Sequence, residues 1–345
     1  MKVCDCVAKQ DRDGRRYYLN IARKIIVVAT SLSMSLHLQE LMKCQALLQT
    51  AVMAKLTSVC SFKPEGFRVT KDMKKNFNDQ GYILVKGLFD TEEMKNLRTV
   101  FENTDVIKDH GYTVADGQGK NVRMLLWNHP GNDVSGQISR CEKVVNTCED
   151  LLGGEVYHYH SKLIYKDPFT GGSFHWHQDY GYWYHNSCLF PDMLTVFIAI
   201  DRCAQSNGCL QILPGSHRCG RIVHDAVHGQ TVANTERVCA IETVYPKAYV
   251  EMDPGDALFF HCNLLHTSSG NDSADRRWAY LIAYNTKANN PLVPHHHAQY
   301  TPLHKVPDSA VRECTNYNDF TGKGFLDPTS PDRNELLQKQ TKCEK

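Results

Sequence analysis

The 345-residue chain carries 14 cysteines but no Cys-x-x-Cys pair. Zinc ribbons and thioredoxin-like redox sites are built on that spacing, so neither has a foothold. A long apolar run is also missing. The most apolar stretch, Ile25 to Leu36, covers about twelve residues, whereas a membrane-spanning helix needs roughly twenty. Net charge is almost absent: 39 Lys and Arg against 38 Asp and Glu leave +1. Such a balance argues against a surface built to neutralise nucleic-acid phosphates or to coat an anionic membrane. Neither a nucleic-acid partner nor stable membrane insertion is therefore expected. No repeat and no Pro-rich linker divides residues 70–290.

What remains is an ordinary folded composition, 42% apolar and 22% charged. The scattered cysteines read as reduced, mostly buried thiols in a reducing compartment. Residues 1–65 differ from the rest, with nine Lys or Arg against four acidic residues in the first 60. They read as an N-terminal extension, either poorly ordered or targeting. The cytoplasm is the expected location, with a mitochondrial presequence in that extension as the alternative. From residue 66 to 290 a single domain is expected, followed by a loop-rich tail over 291–345.

Within the domain, Thr70 and Gly81 bracket a helical pattern, and Asp90 caps a second helix running to about Phe101. Strand signals follow: Tyr82 to Val85, Val156 to Tyr165, Leu194 to Ile200, Cys209 to Leu213, Ala257 to Phe260, and Trp278 to Tyr284 opened by Arg277. Short strands between turns, with helices gathered early, predict a mainly β, α+β chain. The expected core is a double-stranded β-helix (a cupin-like jelly roll) with N-terminal supporting helices.

Phe174 to Tyr180 contains the chain's one His-x-Asp triplet. Positions i and i+2 of a strand face the same side, so His177 and Asp179 are expected to converge. Alone this is weak, because single histidines are more often structural than ligands. His266, following the strand after Gly255, supplies a second imidazole. Two imidazoles and a carboxylate on one face of a metal leave adjacent positions open, the arrangement of non-haem iron(II) oxygenases. Arg277, eleven residues on, offers a planar fork suited to the far carboxylate of 2-oxoglutarate. Arg276 competes for that role. His175 shares a face with His177, His261 is out of phase with His266, and His295-His296-His297 reads as a polar loop.

These segments together resemble the phytanoyl-CoA dioxygenase family: Gly81-Tyr82, His177-x-Asp179, Asn207-Gly208-Cys209-Leu210 with Pro214-Gly215-Ser216-His217, and His266 followed by Asn271 and Arg277. The resemblance runs from about residue 70 to 290. It implies iron(II), with 2-oxoglutarate and O2 as co-substrates and ascorbate in a supporting role. His177, Asp179 and His266 match the family's iron ligands, and Arg277 its 2-oxoglutarate arginine. Ser268 and Lys166 match positions that contact the co-substrate. The run from His175 to Trp183 looks closest to the proline 4-hydroxylase and ectoine hydroxylase branch, where Trp183 matches a pocket tryptophan. Tyr180 and His160 are further expected substrate contacts. His160 and Lys162 depart from the glutamine and arginine of the ectoine branch, so ectoine itself is in doubt.

The expected activity is hydroxylation of an unactivated C–H bond in a small molecule, a proline-like free amino acid or related zwitterion. The alternatives are a fatty acyl-CoA 2-hydroxylase of the same family and a non-catalytic metal-binding member. A zinc hydrolase on a similar barrel is a further alternative, and it predicts activity without oxygen.

Overall fold

The computed structural model describes residues 53–102 and 104–326. The targeting reading of residues 1–52 and the end of the tail lie outside them. The elements run β1 (Val59–Ser61), α1 (Lys71–Gln80), β2 (Tyr82–Lys86), α2 (Thr91–Phe101), α3 (Thr104–His110), β3 (Tyr112–Ala115), β4 (Asn121–Trp127), α4 (Val134–Ile138) and α5 (Glu142–Leu152). Then come β5 (Val156–Lys166), β6 (Phe174–His177), α6 (Asp179–Trp183), β7 (Met193–Ala199), β8 (Leu210–Ile212), β9 (His224–Val227), β10 (Gln230–Ala233) and α7 (Thr235–Glu242). The last are β11 (Ala248–Val250), β12 (Ala257–His261), β13 (His266–Ser268), β14 (Arg277–Thr286) and α8 (Ala310–Glu313).

The early helices form where their caps dictate. The Thr70 side chain accepts the Met73 N–H, and Gly81 closes α1 at φ 78°. Asp90 and Glu93 satisfy each other's backbone N–H groups in a capping box that starts α2. Glu93 then pairs at 2.7 Å with Lys143 of α5, both buried.

An eight-stranded sheet, in the order β1-β2-β12-β7-β14-β5-β4-β3, opposes a four-stranded one, β11-β8-β13-β6. This is the double-stranded β-helix. Strands β2, β7 and β12 of the large sheet are apolar on both faces, as strands covered on both sides require. Ile83, Val85, Val196, Ile198 and Phe259 pack outward against Phe77, Met94, Leu97 and Val144 of the helices. Their neighbours Leu84, Phe197, Leu258 and Phe260 point inward and meet Leu210, Ile212 and Val250 of the small sheet. The period of two thus splits each strand between two cores.

All ten cysteines among the described residues are free, and six of them are buried. Among those residues no helix is long and apolar enough to cross a membrane. The tail does not trail away. Lys323 forms a buried 2.8 Å ion pair with Asp133, Phe325 bridges Trp127, and Leu326 N–H donates to Leu126 O at 2.9 Å.

Several histidines are packed as neutral rings. Burial pushes His158 down to about 3 and His261 to about 4. As pH falls from the unfolded-state value near 6.5 towards 4, the unfolded chain takes up protons that the folded chain refuses. Stability from these groups is therefore present above pH 6.5 and lost on acidification, at up to about 1.4 kcal/mol per pH unit for each ring. Denaturant midpoints measured at pH 7 and pH 5 should fall with acidification; equal midpoints contradict this.

Candidate active site

The site begins with strand register. In the antiparallel pair β6–β13, His177 lies opposite His266, and their ring centroids are 4.1 Å apart. His177 Nδ1 bonds to His175 O at 2.7 Å and His266 Nδ1 to Leu264 O at 2.9 Å. A carbonyl only accepts, so both Nδ1 atoms carry the proton and both Nε2 atoms carry a lone pair. Each Nε2 lies 3.9 Å from Asp179 Oδ1. The other carboxylate oxygen, Oδ2, accepts from Thr195 Oγ1 at 2.6 Å, which leaves Oδ1 to the imidazoles.

Burial holds both imidazoles below their ordinary range, and His266 depresses His177 further. Burial works to raise Asp179, but His266, Lys162, His177 and the Thr195 bond together lower it. Two neutral imidazoles and a carboxylate are the protonation states a divalent metal requires. Among the described residues, His177, Asp179 and His266 form a group whose ligand atoms all lie within 4.8 Å of one another.

One expectation needs correcting. His177 and Asp179 do not share a strand, because β6 ends at His177 and Asp179 opens α6. The main chain turns at Gln178, whose backbone N–H donates to His224 Nε2 at 2.9 Å rather than to a neighbouring strand. The Gln178 side chain donates to Gly220 O and Asn263 O and accepts from Ile222 N, each at 2.8 Å. Gly181 keeps room for the His224 ring, since a Cβ there would come within 2.3 Å of it. On the opposite side, Ser216 Oγ accepts Leu265 N–H at 3.0 Å and fixes the strand start at His266.

A cavity behind these residues is lined by His177, Asp179 and His266 together with Ser268, Arg277 and Lys162. Arg277 is 1% exposed at the start of β14. Its Nη2 donates to Gly208 O at 2.8 Å, while Nε and Nη1 are buried without a partner. Gly208 sits at φ 77°, and a Cβ there would lie 2.3 Å from Ser269 O, so glycine alone fits. Arg276 faces outward, paired with Asp201 and Glu102. Lys166, opposite Arg277 in the β5–β14 pair, donates to Ser268 Oγ at 2.9 Å and to Ser269 O.

A second cavity of about 120 Å³ shares His177, Asp179 and Lys162 with the first. His160, Trp183, Tyr182 and His297 line it as well. Tyr180 does not: the first turn of α6 carries it into the core, where its hydroxyl donates to Cys188 O at 3.0 Å. Tyr182 occupies the wall instead. His175 also turns aside, its Nε2 bonded to Asp116 O at 3.1 Å. The Lys162 side chain makes no hydrogen bond or ion pair with another described residue, although its backbone is paired on both sides in the sheet.

Sequence reasoning missed Gln178, His224 and Thr195 and gave no role to Ser216 of the Pro214–His217 motif; these residues orient the donor groups through contacts distant in the chain. It also treated Lys162 only as a departure from a pattern. A lysine in the same inward-facing register as the apolar Ile164 was the signal available.

Fold and donor set together define a non-haem iron oxygenase barrel. The family model for phytanoyl-CoA dioxygenase matches residues 77–279, and the chain belongs to that family. It is 28% identical to an L-proline trans-4-hydroxylase of Streptomyces griseoviridis over 239 residues, 65% of this chain and 89% of that protein. It is also 28% identical to an ectoine dioxygenase of Halomonas elongata, over 68% of this chain and 76% of the relative. In fold it is similar to EctD from S. alaskensis, solved with 2-oxoglutarate and 5-hydroxyectoine, at TM-score 0.60 and 22% identity. That likeness covers 74% of this chain and 94% of the other. The protein is a 2-oxoglutarate-dependent dioxygenase with iron(II) as cofactor, acting on a small molecule.

Replacing Gln178 with Leu would strip partners from the buried Asn263 O and Ile222 N–H and from the half-buried Gly220 O, at about 1–3 kcal/mol for each buried group. The Gln178→Leu variant should lose roughly 3 kcal/mol or more of stability. A thermal melt indistinguishable from wild type would show that the turn does not depend on this side chain.

Proposed function

We propose that the enzyme hydroxylates an unactivated C–H bond of a small zwitterion, a proline-like free amino acid or close relative. His177, Asp179 and His266 would hold the iron, and Arg277 and Ser268 the 2-oxoglutarate. The observation that carries this is the pairing, in one buried cavity, of three inward-facing donor atoms with two unpartnered guanidinium nitrogens. The donor set fits ferrous iron: two imidazoles and one carboxylate leave positions for the co-substrate and oxygen. The orphaned Nε and Nη1 of Arg277 fit a carboxylate, which takes a planar fork by two hydrogen bonds.

When bound, the iron and 2-oxoglutarate supply oxygen activation, yielding succinate, carbon dioxide and one oxygen atom inserted into the substrate C–H bond. The chain's own part is positioning. Ser268 Oγ accepts from Lys166 and so keeps its own hydrogen for the co-substrate carboxylate. Lys166 thus acts through Ser268. Lys162, an unpaired ammonium facing both cavities, suits the carboxylate of the substrate. Trp183 and Tyr182 line the same cavity, and aromatic rings there suit a small cation. The names of the relatives, an L-proline hydroxylase and ectoine dioxygenases, agree with small charged substrates.

Anaerobic addition of iron(II) and 2-oxoglutarate should give the weak visible charge-transfer band of this cofactor pair. His177→Ala should abolish both the band and turnover while the fold persists. Oxygen-dependent succinate release across free amino acids, betaines and acyl-CoAs should be largest with the amino acids; release only with acyl-CoAs would reverse the assignment.

Arg277→Ala removes a charged hydrogen-bonding pair and should weaken 2-oxoglutarate binding by about 1.5–3 kcal/mol. An unchanged apparent affinity for 2-oxoglutarate would remove Arg277 from that role.

A further inference from the structure

The tail following β14 brings a histidine into the wall of the substrate cavity. The Asn128 amide, just past β4, donates from Nδ2 to His296 O at 2.5 Å. Its Oδ1 is thereby fixed towards His297, whose Nδ1–H donates to it at 3.2 Å. The remaining His297 nitrogen, Nε2, carries a lone pair and is buried without a partner. His160 packs against this ring at 4.7 Å between centroids, and its Nδ1 is likewise buried and unpartnered. Trp183 packs on His160 in a T-shaped arrangement, with ring centroids 5.5 Å apart. Residues 3% and 2% exposed rarely leave ring nitrogens unsatisfied, so two in one cavity wall point to a ligand.

We propose that His297 and His160 form an amine subsite, with His297 Nε2 accepting a hydrogen bond from the ammonium of the substrate. The inference rests on the zwitterion reading above and names the group that reads the amine. Burial holds both imidazoles well below their ordinary range, so the subsite is neutral and does not repel a cation. His160 and Lys162 are two residues apart and face the same cavity. Their backbone positions are thus about 7 Å apart. That separation suits an amino acid with its carboxylate on Lys162 and its amine on the histidines. The buried Lys323–Asp133 pair and the Phe325–Trp127 bridge hold the tail in place behind His297.

The test is equilibrium binding to the anaerobic enzyme loaded with iron(II) and 2-oxoglutarate. The two probes are L-proline and cyclopentanecarboxylate, a carbocyclic analogue with no N–H. Wild type should prefer L-proline by about ten- to hundredfold, the range of a charged hydrogen bond. In His297→Phe the preference should collapse to about threefold or less, with 2-oxoglutarate affinity unchanged. His297→Gln, which keeps an acceptor oxygen, should retain most of the preference. An unaltered preference in His297→Phe, or a wild type that does not distinguish the probes, overturns the subsite and leaves the zwitterion reading intact. If neither probe binds wild type, the zwitterion reading falls and the subsite falls with it. The wild-type comparison stands even where a variant does not fold.

Discussion

The antiparallel register between β6 and β13 is the constraint on which the site depends. It sets His177 opposite His266, and each ring is oriented in the same way, by an Nδ1–H bond to the carbonyl two residues earlier in the chain. Backbone geometry thus chooses the tautomer, and the tautomer decides that both Nε2 lone pairs face inward. Asp179 reaches the same point from the opening of α6, steadied by Thr195 of the large sheet. The small sheet therefore carries both imidazoles, and the large sheet steadies the carboxylate. A slip of one residue in either strand would send an imidazole to the opposite face.

The second constraint is electrostatic. Lys162, Lys166 and Arg277 project between the sheets, while Asp179 is the carboxylate lining that same cavity. Burial disfavours the charged forms of Lys166 and Arg277, and Lys166 is depressed further by Arg277 beside it. Gathering more cations than counter-charges is costly in a low-dielectric interior. The arrangement is stable in use because its ligands are anions, a dicarboxylate co-substrate and, on the proposed reading, a substrate carboxylate. The conformations at Gly208 and Ser216 bear on the same point. They fix the carbonyl that holds Arg277 and the strand that carries His266, which explains why short turn motifs far from the ligands accompany them in the chain.

Much of this was legible from the sequence, and the reason is local. Thr70, Gly81, Asp90 and Glu93 act within one turn of themselves, so α1 and α2 could be placed almost to the residue. β5, β7, β12 and β14 are long apolar or aromatic runs bounded by turns, which read as strands without knowledge of their partners. The triplet around Asp179 was found for a partly wrong reason. Period-two logic put both ligands on one strand, whereas the turn at Gln178 is made by His224, 46 residues away. Nothing near Gln178 announces that partner. Tyr180 was misjudged from the same cause, since a helix beginning at Asp179 sends position 180 to the core and position 182 to the cavity.

The reaction half and the recognition half of the site are built from different parts of the fold. The His177–Asp179–His266 donor set and Arg277 sit on β6, the opening of α6, β13 and the first residue of β14, within residues 77–279 matched by the family model. The second cavity borrows from α6, from Gln230 and Thr231 of the β9–β10 hairpin, and from His297 and Leu326 of the tail. Loops and terminal segments can vary in length and side chain without disturbing the strand register that positions the metal. A barrel of this kind can therefore change its substrate while keeping its chemistry. In this chain the tail lies beyond residue 290, outside the matched region, yet it supplies an imidazole to the cavity. The residues that set this enzyme apart from its relatives are then to be sought where likeness to the family ends.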